Sequence, residues 1–556
     1  MLRPTSLVLD TTAQSGKKLA EAKIWLKPNM ETLQRTANRG SISTGDGNSV
    51  KLEADNTEFF SRTPDSNSNR QTFTYSTWIK RTELGINGAI LDAYQDGSNF
   101  FLLQFDTSDR FVVYQIDSGT DYGFHYTRRF RDIAAWYHIV FVSDTTNGTA
   151  ADRYQLYVNG ERISNSDVDT DYGTPPQNYN NNLNSTIAHS IGKRGDGAIY
   201  NSCYLAETHL VDGTALAPTS FGEYDSASGI WKPIEVDVTH GTNGFYLDYA
   251  DAADLGDDES GNGNDWAENN ITAADQAADI PTNSFCTLNP ISYNVPYTSS
   301  EGNTKYVKSD GTYGMASGTH YVGAGKWYWE VKATDFGTYS ACHFGILDAK
   351  KPTVTANERG YEDPSLAATN PEILVMSGAP NNWVMNSNAT ITNNGAMSSV
   401  DYTFNEGDIL AIALDMDNGG FWFGNSRYSG VANGSFWVAP GGTTNSGNVA
   451  ITDPTNGNYA LVGNGGGTNN GTPNFNGGTI TGGSLLTAGF TLVTPLIGAF
   501  HDGVSVTLEA NFGGYNSYGE DGGYADGNGY GNFAYSVPSG FYALCTKNIA
   551  EFGGSG

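Results

Sequence analysis

The chain has 556 residues and a mass of 59.5 kDa, room for about two to four domains. Its 60 acidic side chains against 30 basic ones leave a formal net charge of -30, which repels phosphate backbones and anionic lipid and so excludes a nucleic-acid partner. With 68 Gly, 32 Tyr, 26 Phe and 10 Trp but only 16% charged residues, the composition is that of a glycine-punctuated, aromatic β protein, not of a disordered acidic one.

Residues 1–44 stand apart. Seven basic and three acidic side chains in 1–40 give +4, against -34 for the rest of the chain. Lys18 to Leu26 reads as a short helix stopped by Pro28, and Asn29 can cap a second one ending at Gly40. A basic, partly helical arm ahead of an acidic body implies an attachment segment that joins other proteins of an assembly. The alternative is a helical pair packed on the first domain, since Ile24, Trp25 and Leu26 need cover. The apolar run Leu7-Val8-Leu9 is too short for a signal-peptide core, and no run approaches the roughly 18 apolar residues of a membrane span, so neither Sec export nor membrane insertion is expected.

From 45 to 250 short β runs are broken by Gly, Asn, Asp and Ser. Thr72–Ile79, Phe100–Phe105, Phe111–Ile116, Trp136–Val142 and Tyr154–Val158 favour strand, and Asn159-Gly160 suits a tight hairpin because both turn residues need positive φ. Residues 251–289 read as a polar, acidic linker. A second β domain is expected over 290–548, with strands at Gly325–Val331, His343–Leu347 and Gly407–Asp415 and a turn into Phe421–Phe423. It carries two loose insertions, 463–484 and 513–532, before a tail at 549–556. The expected fold class is all-β: two antiparallel jelly-roll-type sandwiches in tandem, preceded by a short helical segment. Cys203, Cys286, Cys342 and Cys545 form no CxxC pair, which argues against a disulfide framework or a zinc site.

Four segments in order carry a resemblance: FTYSTWIKR (73–81), WYHIVFVSD (136–144), YQLYVNGERI (154–163), and IGKR (191–194) leading to YLAETHLVDGTAL (204–216). They are similar to successive strands of a laminin-G-like, concanavalin A-like jelly roll. The strands of the second domain, with PLIGAFHDGVSVTLEANFG (495–513) and PSGFYAL (538–544), resemble a SPRY sandwich. As a whole, 45–548 resembles tailed-bacteriophage proteins in which the first domain precedes the second, through EFFSRTPDSNSNRQTFTYSTWIKR (58–81), SFGEYDSASGIWKP (220–233), NGFYLDYAD (243–251), SGNGNDW (260–266) and PSGFYALCTKN (538–548). That resemblance implies a virion structural or tail-fibre-like protein that binds host cell-surface glycan, assembled in the host cytoplasm and released by lysis.

Four clusters are candidates for chemistry. Glu53, Asp55 and Glu58 have the E-x-D-x-x-E spacing of concanavalin A-like glycosidases, but Ala54, Asn56 and Thr57 between them suit a solvated turn. Asp257, Asp258, Asn262 and Asp265 are the densest oxygen set and a candidate Ca²⁺ loop, although Asn269 in place of a bidentate Glu excludes an EF-hand; the alternative is an Asn/Gly turn. Asp415 and Asp417 fit a strand end and hairpin. Tyr515, Tyr518, Tyr524 and Tyr530 offer ring faces beside amides and carboxylates, as sugar sites do; the alternative is a loop that orders against a neighbouring subunit. No HExxH or GxSxG occurs, and Gly463 to Gly471 lacks a phosphate-loop Lys. The expectation is a non-enzymatic virion protein needing no cofactor, held to other virion proteins through residues 1–44, binding host glycan through its loops and forming a homo-oligomer on the particle. Its rivals are a capsid decoration protein without a ligand and a polysaccharide depolymerase.

Overall fold

The computed structural model describes residues 47–553 apart from 227, 292–296, 310–312, 336–340, 349–372, 379–388, 394–395, 401–405, 418–419, 427–436, 439–473, 476–477, 480–491, 501–504 and 520–521. The helical arm expected over 1–44 and most of the 463–484 insertion therefore lie outside the described residues. What is described is almost wholly β, and it forms two sandwiches.

In the first, alternation decides the faces. Phe73, Tyr75 and Ile79 of the strand Thr72–Arg81 point into the core, while Thr74, Ser76, Trp78 and Lys80 point out. Among the described residues this strand is central in an eight-stranded sheet with Glu161–Ile163, Tyr154–Val158, Tyr137–Asp144, Cys203–Asp212, Ser49–Leu52, Gln276–Ala277 and Phe245–Leu247. The facing eight-stranded sheet runs Val168–Gly173, Thr120–Arg129, Arg110–Asp117, Asn99–Phe105, Gly88–Asp96, Ala188–Ile191, Phe59–Arg62 and Ala267–Asn269. Phe60, Phe101, Phe105, Phe124 and Phe141 fill the space between. The hairpin at Asn159 (φ 50°) and Gly160 (φ 80°) is as the dipeptide requires.

Residues 251–289 are not a linker. Ala267–Asn269 pairs with Phe59–Arg62, Gln276–Ala277 pairs with Ser49–Leu52, and Leu255, Trp266 and Ile271 are buried in the first core. Leu288–Asn289 already belongs to the second sandwich, paired with Tyr313–Gly318. The acidic composition misled because the polar residues sit in turns while a few apolar ones anchor the segment. Similarly, the tail expected at 549–556 is helical through Phe552, in the helix Thr546–Phe552, where Phe552 stacks on Tyr542 with ring centroids 3.9 Å apart.

The second sandwich packs Trp327, Trp329, Val331, Phe344, Ile412, Leu508 and Phe512 between its sheets. Lys326–Asp335 lies between Ile409–Asp415 and Val506–Asn511 in one sheet; Ala341–Asp348 lies between Val493–Phe500 and Ile373–Gly378 in the other.

The two sandwiches meet at a seam on the outer face of the first sheet, where Lys51, Tyr204 and Lys80 stand in register on adjacent strands. The Lys51 ammonium lies 3.2 Å from Glu58, 2.8 Å from Asp275 and 2.8 Å from Glu301, with its side chain 1% exposed. Burial works against its charge, but Tyr515, Glu301, Glu58 and Asp275 outweigh burial and hold it protonated. The Tyr204 hydroxyl donates to the Gly302 carbonyl (3.0 Å), and Lys80 donates to Asp279 (2.7 Å), Ser284 Oγ (3.2 Å) and the Phe285 carbonyl (3.3 Å). Gly302 is required there: its φ is +64°, and a Cβ would lie 2.0 Å from the Tyr204 hydroxyl.

Because three carboxylates share one ammonium, Lys51→Met should leave buried charge uncompensated and lower stability by about 3–5 kcal/mol, measured by denaturant unfolding. The pH dependence follows from Glu58, whose pKa burial pushes up to about 7 from an ordinary 4.5. A raised carboxyl contributes stability that is complete below its unfolded pKa and lost as pH rises through the folded one. Glu301, held below its ordinary value by Lys51 in spite of burial, acts oppositely and only in acid. Buried His138, His189 and His240, held below their ordinary value of 6.5, oppose this in acid, so the contribution of Glu58 shows above that value: Glu58→Gln should lessen the fall in melting temperature between about pH 6.5 and pH 8.

Candidate functional site

The carboxylate triplet forms the expected turn, closed by Thr57 N–H donating to the Ala54 carbonyl (3.0 Å), but its glutamates are not solvated. Glu53 and Glu58 are 5% and 3% exposed. Glu58 accepts from the Glu53 N–H (2.7 Å) and from Lys51; Glu53 accepts from Ser202 Oγ (2.9 Å). Both are buried at the seam, where Glu53 also accepts from the Gly302 N–H of the second sandwich (3.4 Å).

In the loop 257–265, buried Asp258 spends both oxygens on local donors: the N–H groups of Tyr246 (2.9 Å), Ser260 (2.9 Å) and Asn264 (2.8 Å), and Ser260 Oγ (2.9 Å). Asn262 donates to the carbonyls of Gly241 (2.7 Å) and Gly244 (3.0 Å), Asp265 accepts from the Asp258 N–H (3.2 Å), and Asp257 is exposed. Among the described residues no three of His, Cys, Asp or Glu converge as a metal-binding group. The loop is an Asn/Asp turn that fixes the 241–246 segment. Asp415 and Asp417 also do turn work: Asp415 accepts from the Asp417 N–H (3.0 Å), and Asp417 accepts from Gly325 N–H (2.7 Å).

The four loop tyrosines are not one platform. Tyr515 is buried in the seam, 7% exposed, its ring 5.4 Å from the Lys51 ammonium and its hydroxyl donating to Glu301 (3.3 Å). Tyr518 is half-buried and donates to the buried carboxylate of Glu330 (2.7 Å); Tyr530 lies under Lys547 at 5.2 Å. Tyr524 is 45% exposed. Packing against the sandwich separates them, and the sequence offered no sign of this.

The residues that do come together lie on the outer face of the sheet led by Val168–Gly173. Tyr94, Phe100, Tyr114, Tyr172 and His125, one from each of five adjacent strands, form a chain of ring contacts with centroids 5.8, 5.5, 5.3 and 5.7 Å apart. Tyr172 is 38% exposed, Tyr94, Tyr114 and His125 are half-buried, and Phe100 is the buried base. The Asn99–Phe105 strand explains the placement: Phe101, Leu103 and Phe105 face the core, so Phe100 and Leu102 must face out. Polar groups flank the rings. Arg110 pairs with Asp106 (2.7 Å) and with Asp169, and Asp106 lies 3.7 Å from His125. Burial lowers the His125 pKa against the pull of Asp106, so it is neutral at neutral pH.

Asp92 lies at the other end of the strip, under the 193–200 loop, whose Gly195 N–H donates to it (2.8 Å). Its second oxygen is buried without a hydrogen-bond partner, and burial pushes its pKa up to about 8. Gly195 presses on Tyr94, where a Cβ would come within 2.3 Å of the ring's own Cβ. The period-two placement of aromatics in consecutive strands was the available signal for this strip. Tyr172, inside the polar run Asp169-Thr170-Asp171, gave none.

The domain presenting these rings matches the family model of the concanavalin A-like lectin/glucanases superfamily over residues 44–212. Residues 44–212 form a concanavalin A-like domain. Solved structures similar to the chain include a native heptameric SAP-like pentraxin from Limulus polyphemus (15% identity, 31% of this chain and 80% of that one, TM-score 0.23). The SPRY domain of human HERC1 is another (12%, 40% and 96%, TM-score 0.23). A third is domain 4 of AbnA, a GH43 extracellular arabinanase from Geobacillus stearothermophilus, in complex with arabinotriose (16%, 32% and 79%, TM-score 0.24). No curated protein matches.

With the oxygens of Asp258 already taken by protein donors, EGTA should leave the melting temperature unchanged; a fall on chelation would restore the 257–265 loop as a calcium site.

Proposed function

We propose that this chain is a non-enzymatic adhesive protein that binds carbohydrate through the outer face of its concanavalin A-like domain, as a component of a tailed-phage virion presented to a host surface. The observation that carries the binding is the aromatic strip Tyr94–Phe100–Tyr114–Tyr172–His125, flanked by Asp106, Arg110 and Asp169. Sugar C–H faces stack on such rings while hydroxyls bond to carboxylates and guanidinium groups. The superfamily's description as lectins and glucanases agrees with that chemistry. The non-enzymatic reading is supported by the burial of Glu53 and Glu58 beside Lys51. The virion placement rests on the sequence motifs alone.

Tyr172→Ala and Tyr114→Ala, tested on a glycan array and by calorimetry, should each weaken binding by about tenfold with little change in melting temperature. Unchanged affinity in both would remove the sheet face, and release of reducing ends from a polysaccharide would replace binding with hydrolysis. Immunogold labelling of virions with antibody to residues 290–548 should mark the tail; label over the capsid would make the chain a decoration protein.

A further inference from the structure

A separate cleft of about 730 Å³ opens between the two sandwiches, on the side of the first domain opposite the aromatic strip. That volume is in the range of small-molecule sites. Trp78, Trp136 and Trp231 line it, each under 8% exposed. They are rigidly set. Trp78 stacks on His138 at 4.7 Å and 18°, Trp231 lies nearly coplanar beside the same imidazole (5.9 Å, 20°), and Ser76 Oγ holds His138 Nε2 at 2.8 Å.

Two of the three indole N–H groups are satisfied: Trp231 donates to His138 Nδ1 (2.8 Å) and Trp136 donates to Asp279 (2.8 Å). The third, Trp78 Nε1, is buried with no hydrogen-bond partner. A buried donor without an acceptor costs free energy until an oxygen reaches it. Above this floor Tyr224, 51% exposed, meets Trp231 edge-on at 4.9 Å and is fixed by its hydroxyl donating to the Asn159 carbonyl (3.2 Å). Asp132 and Glu161 stand exposed at the rim; Thr319 and Tyr321 of the second sandwich complete the opposite wall.

We propose that this cleft is a second binding site, independent of the sheet face, and that it takes a neutral oligosaccharide. Tyr224 supplies a ring face for sugar C–H groups, a sugar oxygen accepts the Trp78 N–H, and Asp132 and Glu161 accept hydroxyl protons. The same two carboxylates outnumber the Arg128 guanidinium that also lines the cleft, and on a chain of net charge -30 they disfavour sialylated or uronic-acid glycans. Because both sandwiches form the walls, bound sugar ties them together.

The test uses the full chain with panels of neutral and acidic oligosaccharides, followed by calorimetry and by tryptophan fluorescence, since three indoles line the cleft. A neutral oligosaccharide should bind with a change in indole emission and a raised melting temperature. Tyr224→Ala should weaken it by about tenfold, and Glu161→Gln combined with Asp132→Asn should weaken it with the fold intact by circular dichroism, whereas Tyr172→Ala should have no effect. Binding lost in Tyr172→Ala but kept in Tyr224→Ala would place the sugar on the sheet face and overturn the cleft. Binding of a peptide in its place, preference for acidic glycans, or no emission change with any neutral glycan would also overturn it, whatever the sheet face binds.

Discussion

The architecture depends on one buried ammonium. Lys51 projects from the outer face of a sheet whose inner face is packed core, and it finds charge compensation only because Glu58, Asp275 and Glu301 come from a turn, from the segment that closes the first sandwich and from the second sandwich. An isolated charge in that position would cost more than the fold can spare, so the pairing fixes where the second domain sits. Tyr204 and Lys80 extend the constraint along the same row, and Gly302 lets the partner backbone come close enough to accept. The seam is polar and directional, unlike the apolar core on the other side of the sheet.

That placement shapes both surfaces proposed to bind sugar. The sheet that carries the seam has its outer face consumed by Lys51, Tyr204, Lys80 and the Trp78–His138–Trp231 cluster, so any wide aromatic surface must lie on the opposite sheet. The cleft opens at the margin of the seam, where Asp279 accepts from both Lys80 and Trp136 and Trp136 is itself part of the lining.

Much of the scaffold was legible in the sequence. Alternation in Thr72–Arg81, Asn99–Phe105 and Tyr137–Asp144 gave strands and faces, and Asn159-Gly160 gave the hairpin. Partnership across the seam was not legible, because Lys51 and Glu301 are 250 positions apart and a strand lysine normally faces water. The same limit explains the carboxylates and the tyrosines. Glu53 looked solvated because part of its cover is Gly302 of the second sandwich, and Tyr515, on the second, looked exposed because it packs on Lys51 and Tyr204 of the first. Residues 251–289 looked like a linker because strands of two or three residues leave almost no periodicity to read.

The closing strands have a consequence for how the chain matures on the ribosome. Ser49–Leu52 near the start of the first sandwich pairs with Gln276–Ala277, and Ser49 Oγ donates to the Asp279 carbonyl 230 residues later. The second sandwich is closed the same way, by the Cys286 N–H donating to the Leu544 carbonyl and the Thr546 N–H to the Ser284 carbonyl. Each first strand has an earlier neighbour, Cys203–Asp212 for Ser49–Leu52 and Tyr313–Gly318 for Leu288–Asn289, but the closing contacts wait for the last segment of each body, and that wait leaves sheet edges open during synthesis. The excess of negative charge on the nascent chain then has a second use, keeping those open edges from pairing with copies made alongside.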